Sequence, residues 1–126
     1  ESFFHGVNVI YKSFPYIPIT DHFDSNLSFA IQDMELLRSL GQNIIRFGVE
    51  WPGVEPNKGE YNMTYINACK ELISTAYEYN IYTLVDSHQD VLSEALCGEG
   101  APIWATQPIG EWNFPEPLGR PYKTDE

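Results

Sequence analysis

Three short apolar runs punctuate the chain: Phe3–Tyr11, Asn43–Trp51 and Ile81–Val85, each rich in β-branched and aromatic residues. All three read as strands. Between them lie two stretches with apolar residues at helical spacing. From Leu27 a stripe passes through Ala30 or Ile31, Met34, Leu37 and Leu40, while Gln32, Asp33, Glu35 and Arg38 fall mostly off it. Asp24, Ser25 or Asn26 can cap this helix, and Gly41 supplies a left-handed stop. The second stripe is Tyr65 or Ile66, Cys69, Leu72 or Ile73, and Ala76, which predicts a helix from about Thr64 to Tyr79 with Asn80 as its C-terminal cap. Lys12–Ser25 carries Pro15 and Pro18 and reads as a loop, Pro52-Gly53 closes the second strand, and Glu55–Tyr61 is turn-rich. After Asp90 a short helical turn is expected near Val91–Leu96. A Gly- and Pro-rich loop holding Trp104, Trp112 and Phe114 follows it.

The third run reads as a strand buried on both faces. It ends abruptly in Asp86-Ser87-His88-Gln89-Asp90. If extended geometry persists that far, Asp86, His88 and Asp90 point the same way. Buried polar groups need partners. The cluster is therefore either a polar turn that stops the strand or a site at the carboxyl end of a parallel strand. The rhythm of strand, helix, strand, helix, strand predicts an α/β fold with a parallel sheet, open or closed into a barrel. Three strands would leave an unpaired edge, and a closed barrel needs eight βα units and about 250 residues. The chain is thus expected to form the first part of a larger domain and to be poorly stable alone.

Composition narrows the function classes. The 126 residues are 43% hydrophobic and 14% aromatic, which supports a folded core rather than disorder. A formal charge of −11 argues against nucleic acid as a partner. No apolar run is long enough to cross a bilayer, and nothing at the start has the form of a signal peptide. Cys69 and Cys97 match no metal spacing; they suit one disulfide, two unrelated thiols or partners elsewhere. Two N-x-S/T sequons, at Asn26 and Asn62, fall in predicted helix-start loops and lean towards a secreted or lumenal protein.

Several polar residues stand out against this pattern. Arg46, Gly48 and Glu50 share one face of the second strand, and Ile45, Phe47 and Val49 the other. A guanidinium there must find an acceptor. It pairs simply with Glu50, lies at the surface of an edge strand, or orients a catalytic carboxylate. Asn8 on the first strand and Lys12 at its end have equally plain readings, as a backbone hydrogen-bonder and a solvated lysine. His5, His22 and His88, with Asp86 and Asp90, lack metal-ligand spacing, and no metal is expected. Trp51, Trp104 and Trp112 suit either a core or flat platforms for sugar rings or acyl chains.

Longer motifs add a resemblance. Phe4-His5-Gly6-Val7-Asn8-Val9 with Tyr11-Lys12 resembles the first strand of the endoglycoceramidases. Ile45-Arg46-Phe47-Gly48-Val49 with Trp51-Pro52-Gly53-Val54-Glu55-Pro56, continued by Gly59, Tyr61-Asn62 and Thr64-Tyr65, resembles their second strand and loop. Ile81-Tyr82-Thr83-Leu84-Val85-Asp86 with His88-Gln89-Asp90-Val91-Leu92-Ser93 resembles the third strand. The next loop of the animal members is matched by Cys97-Gly98-Glu99-Gly100, Pro102, Trp104-Ala105, Phe114-Pro115 and Pro117.

The resemblance implies the first three βα units of a (β/α)8 barrel of glycoside hydrolase family 5. The implied reaction is retaining hydrolysis of the β-linkage between oligosaccharide and ceramide in glycosphingolipids, without a cofactor. The two catalytic glutamates would lie downstream, on the fourth and seventh strands, so none is expected in this chain and the piece alone should be inactive. By the same resemblance Arg46 supports the nucleophile region and His88 forms part of the active-site floor. Lys12 and Asp90 hydrogen-bond the sugar next to the ceramide, Asp86 and Asn8 orient the cluster, and Trp104 contributes to substrate binding. Glu50, Ser87 and Ile103 depart from the family's usual residues; Glu50 stands where an uncharged residue is common and is given no catalytic role. The expected partner is a glycosphingolipid or other β-glycoside, with transient contact to a membrane surface or lipid aggregates. The setting would be secreted, lumenal or lysosomal. A β-glucanase-like hydrolase and a non-catalytic glycolipid-binding remnant are the alternatives.

Overall fold

The computed structural model describes residues 3–94 and 98–106. In chain order the elements are β1 (Gly6–Val9), α1 (Ile31–Ser39), β2 (Ile44–Gly48), the single turn α2 (Trp51–Val54), α3 (Met63–Glu78), β3 (Tyr82–Asp86) and the single turn α4 (Ile103–Thr106). The strands form one parallel sheet in the order β1-β2-β3. In its register Asn8 stands beside Arg46 and Arg46 beside Leu84, while Gly48 stands beside Asp86. The expected βαβαβ rhythm is the observed one, with helices linking parallel neighbours.

Alternation along the strands decides which side chains meet the helices. Val9, Ile45 and Phe47 turn towards them and are buried with Phe29, Met34, Tyr65, Cys69, Leu72, Ala76 and Ile81. Ile45 and Phe47 are fully covered, and a side chain of that size contributes about 1.5–3 kcal/mol when buried. The stripe read on the second helix is the buried face of α3. Cys69 lies within it as a free thiol whose pKa burial pushes up. Cys97, Trp112 and Phe114 lie outside the described residues.

Helix ends follow local chemistry. Asn62 caps α3, its side-chain oxygen accepting the Tyr65 N–H at 3.1 Å. Asn80 and Gly41 take the left-handed conformation that ends their helices, with φ of 57° and 73°. Replacing Asn62 with alanine should cost about 1 kcal/mol. Denaturant unfolding of unglycosylated protein checks this without interference from the sequon.

Four expectations need correction. The first helix begins at Ile31, not Leu27, because Ile19 captures the preceding residues. Its N–H donates to the Leu27 carbonyl and its carbonyl accepts from the Phe29 N–H, both at 2.9 Å. Asp24 therefore caps a turn, accepting the N–H groups of Asn26 and Leu27. Asp33 closes the helix start by accepting the Ala30 N–H at 2.8 Å. The first strand is shorter than its apolar run. β3 is not buried on both faces: Tyr82, Leu84 and Val85 are each more than half exposed, because β3 is an outer strand of the sheet. The helical turn expected near Val91–Leu96 does not start at Val91: Val91 and Leu92 adopt left-handed φ values of 52° and 71°, and 3-10 geometry appears at Glu94. Residues 95–97 lie outside the described residues.

Candidate active site at the carboxyl ends of the strands

Each strand delivers polar groups just beyond its last apolar residue. Arg46 projects from the face of β2 opposite the helices and reaches one alternation further along β3, where its Nη2 lies 2.7 Å from Asp86 Oδ2. Gly48 keeps the intervening position free of a side chain, and Ile10 packs against it; a Cβ there would sit 2.9 Å from Ile10 Cγ2. The same Asp86 oxygen is 2.9 Å from His88 Nδ1. On the far side of the ring, Nε2 is 3.3 Å from Asp90 Oδ2 and 3.7 Å from Glu99 Oε1. Lys12, from the loop after β1, donates to Asp90 at 2.6 Å and also pairs with Glu99. The result is one continuous relay of charge and hydrogen bonds: Arg46, Asp86, His88, Asp90 with Glu99, and Lys12.

Burial grades this relay from floor to rim. The His88 side chain is 9% exposed and Glu99 13%, whereas Lys12 and Asp90 are about half exposed. Hydrogen bonds that it donates to Asp90 and Glu99 raise the pKa of the Lys12 ammonium. The hydrogen bond from Lys12 lowers that of the Asp90 carboxyl. Both groups stay charged over the ordinary pH range and remain reachable from solvent. Such a rim can donate to and accept from the hydroxyls of a sugar, while the buried imidazole keeps its orientation from carboxylates on both sides.

The structure brings together five of the residues read from the sequence: Lys12, Arg46, Asp86, His88 and Asp90. Asn8 lies on the same sheet face, beside Arg46, and is exposed. Trp104 is elsewhere. Its indole N–H donates to the Glu55 carbonyl at 3.0 Å and its ring meets Trp51 edge-on at 5.6 Å, above α2. Asn26 and Asn62 are exposed. Arg46 pairs with Asp86 rather than with Glu50, which correct strand register decides and a single strand's pattern cannot.

The sequence pattern alone assigns no role to Glu99. It arrives through a short antiparallel bridge to Asp90, with reciprocal N–H to carbonyl bonds of 2.9 and 2.8 Å. Its flanking glycines permit this approach. A Cβ on Gly98 would lie 2.2 Å from the Asp90 carbonyl oxygen, and Gly100 has φ of +128°. An acidic residue between two glycines soon after the strand-end cluster was the available signal. His88, Asp90 and Glu99 also present three donor atoms within 4.8 Å of one another, the makings of a cation site. The Lys12 ammonium already pairs with both carboxylates, so the charge balance suits a lysine bridge better than a divalent ion.

Beneath the relay sits Glu50, the first residue beyond the sheet bonds of β2, with its side chain fully buried. Its N–H donates to the Tyr65 hydroxyl at 3.0 Å, and that hydroxyl donates in turn to the Tyr16 carbonyl at 3.2 Å. Burial raises the Glu50 pKa, opposed by His88 and reinforced by Glu99.

The βαβαβ arrangement is that of the opening three βα units of a (β/α)8 barrel, and comparison with known proteins agrees. Residues 17–114 match the cellulase family, glycosyl hydrolase family 5. An endoglycoceramidase of Hydra vulgaris is 45% identical over 125 residues, covering 99% of this chain and 24% of the relative. One of Cyanea nozakii is 48% identical over 122 residues, covering 97% and 24%. The solved endo-glycoceramidase II from Rhodococcus sp. superposes with a TM-score of 0.64 at 31% identity, covering 89% of this chain and 25% of that one. The chain thus spans about a quarter of the length of the curated relatives it matches. On the motif, the parallel strands and the match over most of its length, the chain belongs to glycosyl hydrolase family 5.

Proposed function

We propose that this chain supplies the first three strands of a retaining glycoside hydrolase that cleaves the β-linkage between oligosaccharide and ceramide in glycosphingolipids. The observation that carries the reading is the meeting of Arg46, Asp86, His88, Asp90 and Lys12 at the carboxyl ends of adjacent parallel strands, where barrel enzymes hold their substrates. Likeness to the endoglycoceramidases of Hydra vulgaris and Cyanea nozakii supports the substrate class. In this reading the nucleophile and acid/base glutamates, about 5–5.5 Å apart in a retaining enzyme, come from later strands, and the 126-residue piece alone has no turnover.

Lys12 and Asp90 bind hydroxyls of the sugar adjoining the ceramide, and His88 lines the floor. Arg46 and Asp86 fix the imidazole so that its contacts strengthen as oxocarbenium character develops. Asn8 adds a polar side chain on the same face, and Trp104 acts on substrate only through its edge-on contact with Trp51. The exposed side chains of Phe14, Val91 and Leu92, on loops after β1 and β3, support brief contact with a lipid surface. The exposed Asn26 and Asn62 sequons support glycosylation and a secreted or lumenal setting.

The test is incubation of the full-length protein with a fluorescent glycosylceramide and, separately, a soluble β-glucan. The expected products are intact oligosaccharide with retained anomeric configuration and free ceramide. Turnover of the glucan alone would replace the proposal with a β-glucanase, and glycolipid binding without turnover would leave a binding protein.

A further inference from the structure

We propose that Glu50 is a positioning residue: an uncharged carboxylic acid beneath the mouth whose neutrality keeps Lys12 committed to Asp90 and Glu99. The inference rests on the active-site reading above. Glu50 follows Arg46 and Gly48 at every second position, and its backbone is still extended, with φ −84° and ψ 129°, so its side chain leaves β2 on the mouth side. It is fully buried, and neither carboxyl oxygen has a hydrogen-bond partner among the described residues. The two nearby cations are already engaged, Arg46 with Asp86 and Lys12 with Asp90 and Glu99. The groups that face Glu50 are His88 and Asp86 from β3 and the segment after it, Glu99 from the returning loop, Lys12 from the loop after β1, and the hydroxyls of Tyr16 and Tyr65.

A carboxylate buried without a cation of its own is far more costly than the neutral acid. Two negative neighbours, Glu99 and Asp86, add to that cost. The neutral acid leaves the Lys12 bridge undisturbed. Once ionised, it would compete for Lys12 and His88 and repel Glu99, so the sugar-binding rim would lose its arrangement. Rate and stability should respond to pH in the same direction. The folded state holds this proton more tightly than the unfolded chain, whose glutamates titrate at about 4.3. Stability is therefore lost as pH rises from the unfolded value through the higher folded one.

The experiment compares wild-type full-length protein with Glu50→Gln, which is isosteric and permanently neutral. Kcat/KM on fluorescent glycosylceramide and thermal midpoint are both measured across pH. The substitution is expected to shift the alkaline limb of kcat/KM upward by about one pH unit or more, a tenfold gain in rate at a fixed pH on that limb. It should also remove the fall in thermal midpoint expected of wild type above the ordinary glutamate range. Infrared spectra of glutamate-labelled wild type give a reading that needs neither a variant nor turnover: a protonated-carboxyl band should persist above the usual glutamate pKa. Absence of that band, or parallel pH–rate profiles in the two proteins, overturns the proposal. Absence of turnover in wild type, with the band and the difference in thermal midpoint present, would instead count against the glycosidase reading alone.

Discussion

Replacing Arg46 with alanine is expected, on the glycosidase reading proposed above, to lower kcat/KM of the full-length protein by roughly a hundredfold or more. The guanidinium is the cation within ion-pair distance of Asp86, whose same oxygen holds His88 Nδ1. Without it Asp86 keeps one partner, and the imidazole loses the fixed anchor that aims it at the mouth. Placement is the quantity at risk, because an error of about 1 Å in a positioned group can cost two orders of magnitude. Arg46→Lys should rescue little, since an ammonium on a shorter stem cannot reproduce the planar fork. Steady-state assays on fluorescent glycosylceramide, with circular dichroism to confirm folding, check the result. Activity within threefold of wild type would remove Arg46 from the supporting role.

The largest effect on stability is expected at Gly6. A Cβ there would stand 1.6 Å from the Ile44 carbonyl oxygen, a backbone atom of the strand to which Gly6 is paired. No rotamer change relieves a clash with backbone, so alanine must push β1 away from β2. That separation carries the start of the Lys12 loop with it. A loss of about 3 kcal/mol is expected, the upper end of ordinary overpacking. Gly41 is the matched control. It has a left-handed φ of 73° but open space around it, so alanine there should cost only about 1 kcal/mol. Denaturant unfolding of both variants separates steric exclusion from backbone strain. Equal losses would mean that the strands adjust around the new methyl group.

What the sequence made legible was local. Periodicity placed α3 and its buried stripe, Gly41 and Asn80 marked their helix ends, and strand alternation placed Asp86, His88 and Asp90 near one another. What it hid depended on distant segments. Arg46 had a same-strand candidate in Glu50, but register set Asp86 beside Gly48, within reach of the guanidinium. Glu99 joined the site through a return loop whose bridge to Asp90 leaves no periodic trace. Ile19 took the backbone groups of Leu27 and Phe29 that the apolar stripe had given to a helix. The exposure of Val85 is likewise a property of strand order, since Phe47, beside it on the central strand, is fully covered.

The Tyr65 hydroxyl has a mechanical consequence. It is fastened at once to the end of β2 through Glu50 N–H and to the Tyr16 carbonyl in the preceding loop, while its own ring leaves no room for a methyl group on Gly53. One phenol therefore acts as a rivet through three separate stretches of chain. The segment bearing Lys12 and the segment bearing Arg46 are bolted to the same helix, and a jolt to either is shared by both.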